Sequence, residues 1–175
     1  LRYLSAMKSS SIDVVELGFR LTPNNIFFGP YAYTTDEYIS ELDLPEGLLY
    51  GVMINGKEFI NKEKGYKSTI SSLFQKKENS PISLVRIAIN FNHVLESESI
   101  AKQLKDMGYM IGLNMMQAHG KSEKEYIETA GLVNAWGAID VLYFADSFGN
   151  MSPEDISYIM SSLKKGWSGS LGFHS

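Results

Sequence analysis

Cysteine does not occur in this chain. No disulfide framework, thiolate nucleophile or thiolate metal site can be built from it. Histidine is scarce, with His93, His119 and His174 making up all three. Basic residues are not in excess: Lys and Arg total 16 against 20 Asp and Glu, a formal charge of -4. With no long basic run, nothing points to a nucleic-acid partner. No apolar run approaches the roughly 20 residues that cross a bilayer, so no membrane span is expected. The opening "LRYLSAMKSSSIDVV" lacks the shape of a secretory signal. The Asn150-Met151-Ser152 sequon is therefore read as chance. GxGxxG, Walker, HExxH and GxSxG patterns are all missing, which argues against nucleotide, zinc-protease and hydrolase chemistry. These absences leave a soluble cytoplasmic domain as the default, with a homo-oligomer allowed.

What is present is a repeated alternation. "IDVVELGF" (12–19), "LLYGVMIN" (48–55), "SLVRIAIN" (83–90), "YMIGLNMM" (109–116), "IDVLYFAD" (139–146) and "SLGFH" (170–174) read as strands. Their near-continuous apolar character is that of a parallel sheet covered on both faces. Helices are expected between them. Ser122 and Glu125 form a capping box, and Gly137 ends that helix. Ser152 serves as an N-cap with Pro153 at the first helical position, and Gly166 is expected to stop the helix. Ile100, Leu104 and Met107 mark another helix before Gly108, and Ile70, Leu73 and Phe74 one more. Thr34 and Glu37 open a shorter candidate. Strand starts recur roughly every 25 to 35 residues, the size of a βα unit.

Two architectures fit this order: a doubly wound open sheet, or a (β/α)8 TIM barrel. Six strands are too few for a complete barrel, so the barrel reading makes residues 1–175 a partial TIM-barrel catalytic domain. Its expected edges, left open by the missing first and last strands, predict aggregation or edge pairing of the isolated chain.

In either architecture function collects at the carboxyl ends of the strands. Those ends carry Glu16 and Arg20, then Asn55, Asn90, Asn114 running on to Gln117 and His119, Asp146 with Ser147, and His174. Asn55 and Asn90 have the look of turn punctuation. Glu16 lies inside an apolar run and must be paired or functional; alternation places Arg20 on its face as one ion-pair candidate. Asp146 precedes a helix that already has Ser152 as its cap, which favours a functional role. His93 and His119 fall in loops on the same end. The methionines of "MGYMIGLNMM" are simplest as core filler. "TPNNIFFGPYAYTTDEY" reads either as a packed loop or as a pocket wall or lid.

"IDVVELGFR", "LYFADSFGNMSPEDI" and the final "LGFHS" together resemble the HMG-CoA-lyase-like superfamily of metal-dependent TIM barrels. That group includes the 4-hydroxy-2-oxovalerate aldolases, often described as pyruvate carboxyltransferase domains. The resemblance covers nearly the whole chain and equates it with strands two to seven. It implies a carbon–carbon lyase acting on a small oxo-acid through a pyruvate-type enolate, with a divalent metal, Mn²⁺ or Mg²⁺ ahead of Zn²⁺. It matches Glu16 and Asp146 to catalytic positions and His174 to the first histidine of a metal-binding His-x-His motif, with Ser175 between. The second histidine, and an Asp-x-Thr-Leu-Arg-Asp-Gly type motif expected before Leu1, fall outside these residues. Arg20, Asn114 and His119 are the candidates for substrate binding. Two alternatives remain open: an acyl-CoA-using synthase of the same superfamily, and a non-catalytic barrel acting as a binding module.

Overall fold

The computed structural model describes residues 2–60 and 65–175. Six strands form one sheet: β1 (Val14–Phe19), β2 (Leu49–Asn55), β3 (Leu84–Asn90), β4 (Met110–Met116), β5 (Val141–Ala145) and β6 (Ser170–His174). All neighbours are parallel and the order is sequential, β1-β2-β3-β4-β5-β6. A sequential parallel order is the winding of a barrel, not of a doubly wound sheet, whose order reverses at a switch point. The sheet is therefore a curled six-stranded part of a (β/α)8 barrel, and β1 and β6 are its two edges.

The helices are α1 (Arg2–Ser9), α2 (Pro30–Tyr33), α3 (Asp36–Ser40), α4 (Gly65–Leu73), α5 (Glu98–Asp106), α6 (Glu123–Ala135) and α7 (Pro153–Gly166). Local chemistry explains their limits. Ser122 and Ser152 each accept the backbone N–H three residues on, and Glu125 and Asp155 return the contact, so both helices open on full capping boxes. The cap of α3 is Thr35, whose side chain accepts from Tyr38 N–H. Thr34, the expected cap, instead closes α2 in a left-handed conformation (φ 35°).

α7 ends at Gly166 as expected, and the glycine has a further job. A Cβ there would lie 2.3 Å from the Ile127 carbonyl oxygen and 2.8 Å from the Gly131 nitrogen. The glycine lets α6 and α7 approach backbone to backbone.

Alternation along the strands separates two faces. Val52, Ile54, Val85, Ile87, Ile111, Leu113, Leu142 and Phe144 are wholly buried and pack with the helices' apolar sides in one core. The opposite, concave face carries a mixed set. Tyr143 sits there between two glycine positions: a Cβ on Gly172 would come within 2.5 Å of its ring, and one on Gly112 within 3.2 Å. Large and small residues thus alternate across strands, the way barrel interiors fill.

Candidate active site

The carboxyl ends of β2 to β6 surround one cleft of about 330 Å³. Asn114 from β4, Asp146 and Ser147 from the end of β5, and His174 from β6 supply its polar wall. Met53, Ala88 and Met116 supply an apolar one. Three of the expected site residues, Asn114, Asp146 and His174, therefore meet. They do so because β4, β5 and β6 are adjacent and in register, with Asn114 opposite Tyr143 and Ala145 opposite His174.

Asp146 organises the end of β5. Its carboxylate accepts the backbone N–H of Met151 at 2.9 Å and of Asn150 at 3.1 Å. Its own N–H donates to the His174 carbonyl at 2.9 Å. The Met151 N–H is the main reason its pKa lies below the ordinary aspartate value, with further backbone N–H groups of the same loop adding to it. Ser152 being the helix cap did not release Asp146 from structural duty: the aspartate caps the loop before the helix. A carboxylate so stabilised is a weak base.

Asn114 is 2% exposed, and its carboxamide oxygen has no hydrogen-bond partner among the described residues. The other two asparagines are turn residues, as their positions predicted. Asn55 accepts from Lys57 N–H and Asn90 from Asn92 N–H. Asn90 also donates to Gln117, whose backbone N–H is accepted by Ser147 Oγ at 3.0 Å. Gln117 holds a left-handed backbone (φ 54°) while linking the ends of β3 and β5. Such strain in a non-glycine residue is typical of site rims.

The remaining candidates are placed elsewhere. Arg20 does not pair with Glu16 and does not line this cleft. It is 1% exposed. Its Nη2 donates to Asp36 at 2.6 Å and to the Thr34 carbonyl at 2.7 Å, its Nε to the same carbonyl, and its Nη1 to the Leu73 carbonyl. The guanidinium lies 4.8 Å from the centre of the Phe74 ring. Its donors are spent on pinning α3 and the end of α4 beneath β1. Glu16 pairs instead with Arg86 of β3, two parallel bonds of 2.7 Å. The pair spans β2, where Glu16 is opposite Gly51 and Arg86 is opposite Met53. His119 stands 3.6 Å from Asp155 at the start of α7, and His93 pairs with Glu96; neither lines the cleft.

Sequence reasoning missed Arg86, Met53 and Met116. Arg86 had a signal, a charge inside "LVRIAI", which like Glu16 demanded a partner. Met53 and Met116 had none, since an apolar residue on the concave face looks like core. The aromatic loop after β1 stands apart from the cleft. Its Ile26, Phe27 and Phe28 are exposed, while Tyr31 lines a separate apolar cavity with Tyr3, Leu4 and Leu42.

Among the described residues no group of three or more His, Asp or Glu side chains could hold a metal ion. His174 offers one imidazole. Asp146, its neighbour in the cleft, already satisfies backbone N–H groups. The donors present do not make a metal centre by themselves.

Fold and site together define an incomplete (β/α)8 barrel with a polar cleft at its carboxyl-end face. Comparison with known proteins agrees. A "4-hydroxy-2-oxovalerate aldolase" of Geobacillus genomosp. 3 is 33% identical over 100 residues, 57% of this chain and 29% of that protein. One of Pelotomaculum thermopropionicum is 25% identical over 174 residues, 97% of this chain and 48% of that protein. Among solved structures, the N-terminal domain of a candidate aldolase from Bacteroides vulgatus superposes with a TM-score of 0.77 over 99% of this chain and 55% of its own, at 23% identity. That likeness shows the fold. No protein-family model matches the chain. The chain spans about half or less of the length of the curated relatives cited. The resemblance read from the strand-end motifs is thus matched by curated relatives of that name. No described helix is long and apolar enough to cross a membrane.

Proposed function

We propose that this chain forms most of the catalytic barrel of a carbon–carbon lyase that cleaves, or forms, a 4-hydroxy-2-oxo acid through the enolate of pyruvate. The observation that carries the reading is the meeting of Asn114, Asp146 and His174 around one carboxyl-end cleft in a barrel whose curated relatives are named aldolases. Cleavage of such an acid breaks the C3–C4 bond. The hydroxyl proton leaves, the C4 oxygen becomes an aldehyde, and the electron pair passes to the pyruvate enolate.

The chain's own groups bind and organise. Asp146 fixes the loop that brings Ser147 to the cleft. Ser147 accepts the Gln117 N–H, which leaves its hydroxyl proton free to be donated. Met53, Ala88 and Met116 exclude water from one side. Glu16, which the resemblance matches to a catalytic position, is held by Arg86 and does not line this cleft. His174 is proposed as one ligand of a divalent metal, Mn²⁺ or Mg²⁺ ahead of Zn²⁺. Such an ion, when bound, would supply Lewis-acid stabilisation of an enolate; the described residues do not complete its ligand set.

The test is pyruvate release from a panel of 4-hydroxy-2-oxo acids by the full-length protein, with and without chelator and re-added Mn²⁺. Metal-restored release, lost in His174→Ala, is expected. No release from any member of the panel would overturn the lyase reading and favour a binding module.

A further inference from the structure

Two buried side-chain polar atoms among the described residues lack a hydrogen-bond partner: the amide oxygens of Gln103 and Asn114. They are not equivalent. Gln103 lies on α5 in the outer helical layer, is only half-buried, and its amide nitrogen already donates to the Lys67 carbonyl. Asn114 lies on the concave face of the sheet, is 2% exposed, and lines the cleft. A buried acceptor left unpaired is destabilising. Its register neighbours across the sheet, Ala88 and Tyr143, do not bond to it; Ala88 has no donor in its side chain.

We infer that Asn114 is a specificity-determining residue whose carboxamide oxygen accepts a hydrogen bond from the hydroxyl of the substrate. The inference rests on the lyase reading above and narrows it. A 4-hydroxy-2-oxo acid at neutral pH presents a carboxylate and an oxo group, which only accept, and a single hydroxyl on carbon 4, which donates. An unpaired acceptor can be matched only by that hydroxyl. The surroundings agree. The cleft wall beside Asn114 is apolar at Met53, Ala88 and Met116, and among the described residues it contains no lysine or arginine, so it suits the alkyl, hydroxyl-bearing end of such an acid and not its carboxylate. A site built around a hydroxyl rejects the analogue without one far better than a hydrophobic pocket rejects an extra methylene.

The experiment compares two unreactive ligands that differ only in this group, the sodium salts of 4-hydroxyvalerate and valerate. Dissociation constants are measured by ligand-observed NMR titration of the full-length protein, a readout that needs no turnover. The hydroxylated ligand should bind at least about fivefold more tightly, the fold-change of one well-made buried hydrogen bond. In Asn114→Leu the ratio should fall to within about twofold, and in Asn114→Asp, which keeps an acceptor, it should persist. Because no described residue pairs with the oxygen, Asn114→Leu should melt at the wild-type temperature or above it. A purely structural asparagine would instead lose stability on that change.

Equal binding of the two acids by the wild type overturns the inference and leaves the lyase reading intact. Binding of neither overturns it as well. A clear hydroxyl preference in a protein that releases no pyruvate would uphold Asn114's role and remove the lyase reading.

Discussion

At the scale of single residues, charge inside an apolar strand proved the most informative signal. Glu16 stood out in the sequence as a charge needing a partner, and that partner is Arg86, whose own charge inside an apolar strand was passed over. The pairing was not legible, because it joins strands 70 residues apart in sequence. Arg20 shows the same limit from the other side. It ends the first strand where a substrate ligand is expected, yet its four hydrogen bonds go to three acceptors on residues 34, 36 and 73, contacts that no local pattern encodes. Arg20→Met should therefore act on stability and not on ligand affinity. Removing one partner of a buried pair leaves Asp36 uncompensated, at a cost of about 3–5 kcal/mol; urea unfolding measures it. Unchanged stability would mean that the pair is dispensable and that Arg20 is free for another role. Asp146 carries a pH prediction. Its folded pKa is depressed by the Met151 N–H and its neighbours. The order it gives the 146–151 loop is thus fully present above the unfolded aspartate value, about 3.9. It is lost as pH falls through the lower folded value. Amide exchange at Asn150 and Met151 should accelerate in that acid range, and Asp146→Asn should flatten the dependence.

At the scale of elements, the strands and the two best-capped helices were readable because their determinants are contiguous. A capping box needs four consecutive residues, and both boxes form where Ser122 and Ser152 stand. Ser152→Ala should cost about 1 kcal/mol, measured by thermal melting. The short helices after β1 were less readable. Thr34 and Thr35 are chemically equivalent caps, and the choice between them is made by α2 ending in a left-handed residue. Gly166 is the sharper case. Glycine to alanine inside a helix ordinarily gains up to about 1 kcal/mol. Here the new Cβ would meet a carbonyl at 2.3 Å, a backbone contact that cannot rotate away. Overpacking of this kind costs about 1–3 kcal/mol, so Gly166→Ala should lower the melting temperature. A rise would show that α6 and α7 can separate without penalty.

At the scale of the whole molecule, the alternation of elements foretold six parallel strands, and the sequential order decided between barrel and open doubly wound sheet. The site's outline followed from that order, since strand ends adjacent in sequence are adjacent in space. The two edge strands, β1 and β6, present unpaired backbone groups. A 175-residue preparation should associate through them, giving multi-angle light scattering masses above 19.6 kDa that grow with concentration. A monodisperse monomer with a cooperative melt would contradict this.

The sequential order has a kinetic consequence. Each strand pairs with the strand one βα unit away, so every native pairing closes a loop of similar, moderate length. Loop-closure entropy rises only slowly with length, and no pairing must wait for the two ends of the chain to find each other. Folding can then start at the best-matched pair and spread outward in both directions. The longest continuous register joins β3 to β4, from Leu84–Met110 to Asn90–Met116. The wall that carries Asn114 would be laid down first, with the His174 strand joining last.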